Sequence, residues 1–113
     1  MGKGYLHREY ISVFIKNHLR STSTDYAASI HRRYVEVYTK DVLHTPYLKR
    51  PCSYNSFAKR VARLMRGGLI ERTGEVEHSK VPTAMDRVYL RLTRHGAEAD
   101  DNVWIEVDHN VGP

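Results

Sequence analysis

One amphipathic segment, with a polar residue before it and two glycines after it, most constrains the fold. Ser53 offers an N-cap hydroxyl to the run YNSFAKRVARLMR, and Gly67 and Gly68 supply the flexible stop that helix C-termini prefer. Successive helical residues turn by about 100°, so the apolar side chains converge on one side. These core candidates are Tyr54, Phe57, Ala58, Val61, Leu64 and Met65. The pattern predicts a helix over 54–66 with one face in a core.

The opposite face of this helix carries long cations, small residues and an amide, which suit a helix lying in a DNA major groove. The candidates for base contact are Asn55, Ser56, Lys59 and Arg63. The candidates for phosphate contact at the flanks are Lys49, Arg50, Arg60 and Arg66, together with the hydroxyl of either Tyr47 or Tyr54. The helix alone is also compatible with an ordinary solvated charged face.

Two further helices are predicted before this one. Residues 5–20 place Ile11, Phe14, Ile15 and Leu19 at helical spacing, with Arg8, Lys16 and Arg20 on the outer side. After the polar break at 21–25, Tyr26, Ile30, Tyr34 and Val37 indicate a helix that ends near Asp41. Residues 42–52 are predicted to form a loop, because they contain Pro46 and Pro51.

A hairpin is predicted after the 54–66 helix. Residues 69–73 and the alternating run 88–92 read as its two strands, joined by a long polar tip. Thr93 is placed to cap a short final helix. Residues 103–107 (VWIEV) are expected to form a strand or a docking segment, with Trp104 packed on the body or on a second subunit.

The charge distribution points to a polyanionic partner. The chain has 113 residues, the size of one domain, and a net charge of +5. Residues 1–95 hold all 18 Lys and Arg and eight acids, whereas residues 96–113 hold five acids and no Lys or Arg. A basic body favours nucleic acid, since neutralising phosphates releases counterions. Without a long apolar run, and with Cys52 as the single cysteine, the chain is expected to be cytoplasmic and without a membrane partner.

The stretch SYNSFAKRVARLMRGGLIERTGE followed by RVYLRLTRHG resembles the winged helix-turn-helix DNA-binding superfamily, as found in small prokaryotic or viral transcription regulators. In these proteins the recognition helix runs through glycine into a "G-L-I" strand, and the second wing strand often ends in Leu-Thr-x-x-Gly, here Leu92 to Gly96. The resemblance implies an α+β fold: a three-helix bundle, a two- or three-stranded antiparallel wing and a short C-terminal extension. It further implies DNA contacts from the wing through His78, Lys80 and Arg87, and homodimerisation.

The expected organisation is a winged-helix domain over 1–96 and an acidic extension over 97–113. This extension and the predicted helix over 5–20 are the two candidate dimer contacts. Two features depart from the family pattern: the linker before the 54–66 helix is long, and Glu75 and Glu77 place acids on the wing. The seven histidines lack zinc-motif spacing, and neither Cys52 nor any serine stands in a catalytic motif. We therefore expect no enzymatic activity, metal, cofactor or small-molecule substrate.

The predicted function is sequence-specific binding of double-stranded DNA, as a homodimeric transcription regulator acting on two half-sites. Two alternatives stay open at this point. One is a winged-helix module that contacts protein, and the other is a binder of RNA or single strands.

Overall fold

The computed structural model describes residues 10–44, 51–82 and 84–109, with the backbone alone for residues 40–44. Within these ranges the chain forms five helices and one three-stranded antiparallel sheet. The elements are α1 Ile11–Thr22, β1 Thr24–Tyr26, α2 Ala27–His44, α3 Tyr54–Arg66, β2 Ile70–Glu77, β3 Arg87–Leu92, α4 Arg94–Glu98 and α5 Asp101–His109. The predicted α+β class is confirmed. None of these helices, in the part of the chain described, is long and apolar enough to cross a membrane.

One hydrophobic core lies between the helices and the inner face of the sheet. Most of the predicted inner residues of α1 and α3 occupy it, including Ile15, Phe57 and Leu64, each at 0% exposure, whereas Tyr54 and Ala58 are half-buried at its edge. The first part of the predicted 5–20 helix, residues 5–9, lies outside the described residues. Helix α2 continues to His44, beyond the predicted end near Asp41.

The sheet has the strand order β1–β3–β2. The predicted hairpin is present: Ile70 pairs with Leu92 and Arg72 with Leu90, and a register irregularity separates Arg72 from Val76. Gly74 lies at this irregularity with φ +94°, a left-handed conformation that glycine adopts without strain. Strand β1, which pairs with β3 over three residues, was not predicted, because Thr24 and Asp25 belong to the polar break and Tyr26 was assigned to the helix that follows it.

The C-terminal residues differ most from the sequence prediction. Residues 103–107 lie in helix α5 rather than in a strand, and the carboxylate of Asp100 accepts a hydrogen bond from the amide of Val103 in the first turn. Trp104 is fully buried in the chain's own core, and its Nε1 donates to the carbonyl oxygen of Gly96 at 3.1 Å. Of the two positions expected for Trp104, packing on the body is the one observed.

The periodicity of α1 predicted that Lys16 lies on its outer side, and the structure shows that it does not. Helix α5 explains the difference. Helix α5 packs against α1 and α3. Lys16 is 5% exposed, and its Nζ donates to Asp101 Oδ1 at 3.0 Å at the start of α5. A lysine can be buried this way because its ammonium group has an acidic partner.

Candidate nucleic-acid interface

The N-terminal end of α3 is held by a cap and by aromatic packing. Ser53 Oγ accepts a hydrogen bond from the amide of Ser56 at 3.2 Å, as predicted. His31 of α2 packs its ring against Tyr54 and Phe57, with ring centroids 5.7 and 5.1 Å away. These contacts fix the start of α3 against α2.

No individual role was predicted for His31 from the sequence. The ring is half-buried, and its Nε2 lies 2.9 Å from the carbonyl oxygen of Cys52. This contact crosses 21 positions of sequence, so periodicity within α2 carries no sign of it.

Tyr34 and Cys52 complete this packed region beneath the start of α3. Burial raises the pKa of Tyr34 to about 12, and the neighbouring Cys52 thiol acts in the same direction, against the opposing effect of the Cys52 backbone. Burial likewise raises the pKa of the Cys52 thiol, against the opposing effect of Arg60. The raised pKa favours the neutral thiol, which is a weak nucleophile. Cys52 is thus a packed side chain ahead of the α3 cap.

The face of α3 turned away from the core is exposed and carries positive charge only. Asn55, Ser56, Lys59 and Arg66 are exposed and Ala62 is half-buried. The helix contains no acidic residue. Asn55, Lys59, Ala62 and Arg66 follow one another at i, i+4, i+7 and i+11, so they form a single stripe along the helix. We call these four residues the α3 stripe.

The two remaining cations of α3 are turned toward α5. Arg60 Nη1 donates to Asp108 Oδ2, and Arg63 Nη1 donates to the Asp108 carbonyl oxygen at 2.8 Å and to Oδ1 at 3.4 Å. The Asp108 side chain is 1% exposed, against 28% for Arg60 and 26% for Arg63. A carboxylate buried to this degree is stable only because both guanidinium groups satisfy it. The predicted base contact by Arg63 stays a prediction.

Most other cations whose side chains the structure describes also have partners within the chain. Arg33 pairs with Glu36, Arg91 with Glu71, and Arg94 with Glu98. Those that have no such partner among the described residues are Lys59, Arg66, Arg72 and Lys80. Arg20 and Arg32 have only neutral partners, the Ala97 carbonyl oxygen and the Tyr26 hydroxyl. The described cations that lack any partner therefore lie on α3 and on the hairpin.

Arg72 is a candidate that sequence reasoning did not single out. It pairs in register with Leu90, whose side chain is buried in the core. Directly paired residues point to the same face of a sheet, so Arg72 lies on the face that carries the helices. The strand was predicted, and its alternation would have placed Arg72 on the face of Ile70.

The family resemblance implies that His78, Lys80 and Arg87 of the hairpin contact DNA, and the three residues differ in their partners within the chain. Arg87 Nη1 donates to Glu77 Oε1 at 3.2 Å, and its guanidinium lies 5.0 Å from the centroid of the Tyr26 ring. His78 Nδ1 lies 3.0 Å from Asp86 Oδ2. The amide of Ser79 and the His78 ring lower the pKa of Asp86. Lys80 is exposed and unpaired in this part of the structure. Lys49 and Arg50 lie outside the described residues.

A cavity of about 470 Å³ separates the hairpin from the N-terminal ends of α2 and α3. Tyr54 lines it from α3, Arg32 from α2 and Arg87 from the hairpin. The start of α3 and the hairpin thus border one concave surface. Comparisons with protein-family models, with curated proteins and with solved structures gave no match for this chain.

Proposed function

We propose that this protein is a winged-helix transcription regulator that binds double-stranded DNA sequence-specifically through α3. The order of elements supports the fold assignment: three helices are followed by a hairpin, and the short strand after α1 completes the sheet in the order β1–β3–β2. In this arrangement α3 is the recognition helix and the β2–β3 hairpin is the wing.

The observation that carries the proposal is the α3 stripe. Lys59 and Arg66 stand on it without an acidic partner among the described residues, on a helix that has no acid. A B-DNA major groove is about 12 Å wide and admits an α-helix, and Ala62 keeps the middle of the stripe narrow. Charge that the fold leaves unneutralised is available to phosphates and base edges.

We assign each residue to base edges or to backbone phosphates according to its position on α3 or on the hairpin. Asn55, Ser56 and Lys59 lie in the first turns of α3, beside the cavity that Tyr54 borders, and we assign them to base edges. Lys80 and Arg72 on the hairpin are assigned to backbone phosphates, where they add affinity without sequence preference. Lys49 and Arg50 keep their predicted phosphate role. The bonded states of His78 and Arg87 make them weaker candidates than Lys80.

The first experiment selects bound sequences from a random pool of duplex DNA, using the full chain. Enrichment of one motif supports specific recognition, and an inverted repeat of that motif supports the proposed homodimer on two half-sites. Failure to enrich any sequence, with no binding to duplex DNA at low salt, would refute the proposed function.

Variants then test the stripe. Asn55→Ala and Lys59→Ala are each expected to reduce the preference for the selected duplex over a scrambled one by about 1–3 kcal/mol, or roughly 5- to 150-fold. Arg94→Ala is the matched control, because Arg94 lies on α4, is 91% exposed and is paired with Glu98. Equal preference in wild type and both stripe variants would show that α3 does not contact the bases.

A protein-binding function is the second candidate, and the apolar residues of the hairpin favour it. Val76, Val81 and Met85 are exposed by 41%, 56% and 75%. Apolar side chains grouped on one exposed element are typical of a contact with another protein. No electrophoretic shift with duplex DNA, RNA or single strands would favour this candidate over the first.

A further inference from the structure

A recess of about 210 Å³ lies where the C-terminal end of α3 meets α5, and Arg63, Arg66, Gly67 and Val107 line it. We propose that this recess binds one phosphate group of the DNA backbone and that Asp108 is the positioning residue for it. The inference rests on the proposed function and deepens it: it assigns Arg63 to the backbone rather than to a base, and it makes α5 part of the DNA interface.

The recess depends on close packing at Gly67. A Cβ added at this position would lie inside van der Waals contact with Val107 Cγ1 and 3.3 Å from Val107 Cγ2. The missing side chain therefore lets α5 approach the end of α3. This approach brings Asp108, one position after Val107, to the guanidinium groups of α3.

Asp108 holds Arg63 in a defined position at the edge of the recess. Arg63 makes its contacts with Asp108 through Nη1, and this leaves Nε and Nη2 as further donors. An arginine that is already tethered loses less conformational entropy when it binds a phosphate. Its side chain is 26% exposed and lines the recess.

The local charge also favours an anion. Arg60 and Arg63 bind one buried carboxylate, and Arg66, which lines the same recess as Arg63, has no acidic partner among the described residues. The amides of Gly67, Gly68 and Leu69 donate to the carbonyl oxygens of Arg63, Met65 and Leu64. These bonds satisfy acceptors at the end of α3 that would otherwise repel a phosphate oxygen.

The position of Arg63 decides between phosphate and base. Its guanidinium is bound to Asp108 of α5 near the C-terminal end of α3, whereas the residues that we assign to base edges, Asn55, Ser56 and Lys59, lie in the first turns. Two arginines at one recess match the several acceptor oxygens of a phosphate and form charge-assisted hydrogen bonds to it. Such a contact sets the register of α3 on the duplex and carries no sequence information.

The test measures binding to the selected duplex and to a scrambled duplex across a salt series. Arg66→Gln and Arg63→Gln are each expected to weaken binding to both duplexes by the same factor and to reduce the salt slope by about one. The factor by which each variant binds more weakly than wild type then becomes roughly eightfold larger when the salt concentration is lowered from 1 M to 0.1 M. Arg66 is exposed, so Arg66→Gln provides an answer even if Arg63→Gln does not fold.

Two variants of α5 isolate the positioning role. Glu106→Gln and Asp108→Asn each remove one negative charge, but Glu106 is exposed on α5 whereas Asp108 is buried between Arg60 and Arg63. Charge alone predicts that both variants bind both duplexes slightly more tightly. The proposal predicts this for Glu106→Gln and weaker binding to both duplexes for Asp108→Asn, in protein shown by circular dichroism to be folded.

The outcomes distinguish a failure of the proposed function from a failure of the recess alone. If the wild-type chain binds no duplex, the proposed function fails and the recess fails with it. If the wild type binds, an unchanged salt slope in Arg66→Gln, or an Asp108→Asn variant that behaves like Glu106→Gln, overturns the recess and leaves the proposed function standing. A changed sequence preference in Arg63→Gln would return Arg63 to the bases.

Discussion

Replacement of Gly96 by alanine changes the stability of the fold in two opposite ways. Helix propensity favours alanine, whereas a tertiary contact disfavours it. Gly96 lies inside α4, where alanine is favoured over glycine by about 1 kcal/mol of helix propensity. A Cβ at this position would overlap the carbonyl oxygen of Leu69 and lie 2.8 Å from its carbonyl carbon. Both are backbone atoms, so they cannot turn away as the end of a side chain can.

The size of the expected stability loss follows from the hydrogen bonds that the added Cβ would disturb. The Leu69 carbonyl accepts from the amide of Thr93 at 3.0 Å, and the Gly96 carbonyl accepts from Trp104 Nε1 at 3.1 Å. Weakening both bonds costs about 1 kcal/mol each. Overpacking of a core adds about 1–3 kcal/mol. After the gain in propensity, Gly96→Ala is expected to lower the free energy of unfolding by about 2–4 kcal/mol.

The assay is thermal and urea unfolding followed by circular dichroism and by the fluorescence of Trp104, the chain's one tryptophan. The expected loss corresponds to a Tm lower by roughly 8–16 °C for a chain of this size. Ala97→Gly on the same helix is the control, with a loss of at most about 1 kcal/mol. If Gly96→Ala were as stable as wild type, the close approach of α4 to Leu69 would be wrong.

Two further changes test the buried groups. Because the folded-state pKa of Tyr34 is raised to about 12 from 10.0, stability is fully present below pH 10 and is lost as the pH rises toward 12. Tyr34→Phe should reduce this loss in urea titrations at pH 9 to 11, and an identical pH dependence in the variant would contradict the burial of the phenol. Trp104→Phe removes the donor to Gly96 and leaves a gap in the core, so the free energy of unfolding should fall by about 2–4 kcal/mol. An unchanged urea midpoint would mean that Trp104 does not pack inside the chain.

The features predicted correctly from the sequence are those whose causes lie close together along the chain. Ser53 and Thr93 cap α3 and α4 through hydroxyls that accept amides three residues ahead. The inner face of α3 follows from apolar spacing alone, and so does the exposure of Asn55, Ser56 and Lys59 opposite it. Such interactions depend on helix geometry, so a single segment is enough to predict them.

The remaining features depend on contacts between distant segments. Residues 103–107 contain Val, Trp and Ile, which fit a strand equally well, and the helix that they form is packed against α1 and α3. Strand β1 exists because β3 supplies its hydrogen-bond partners. Lys16 is buried because Asp101, 85 positions away, neutralises it.

The sequence by itself determined that α3 is amphipathic, capped and free of acids, because these are properties of consecutive residues. Only the tertiary structure decided which of its cations stay unneutralised. Asp108 of α5 binds Arg60 and Arg63, whereas no acid among the described residues pairs with Lys59 or Arg66. Charge pairing depends on which segments the core brings within a few ångströms, and sequence order does not reveal that distance.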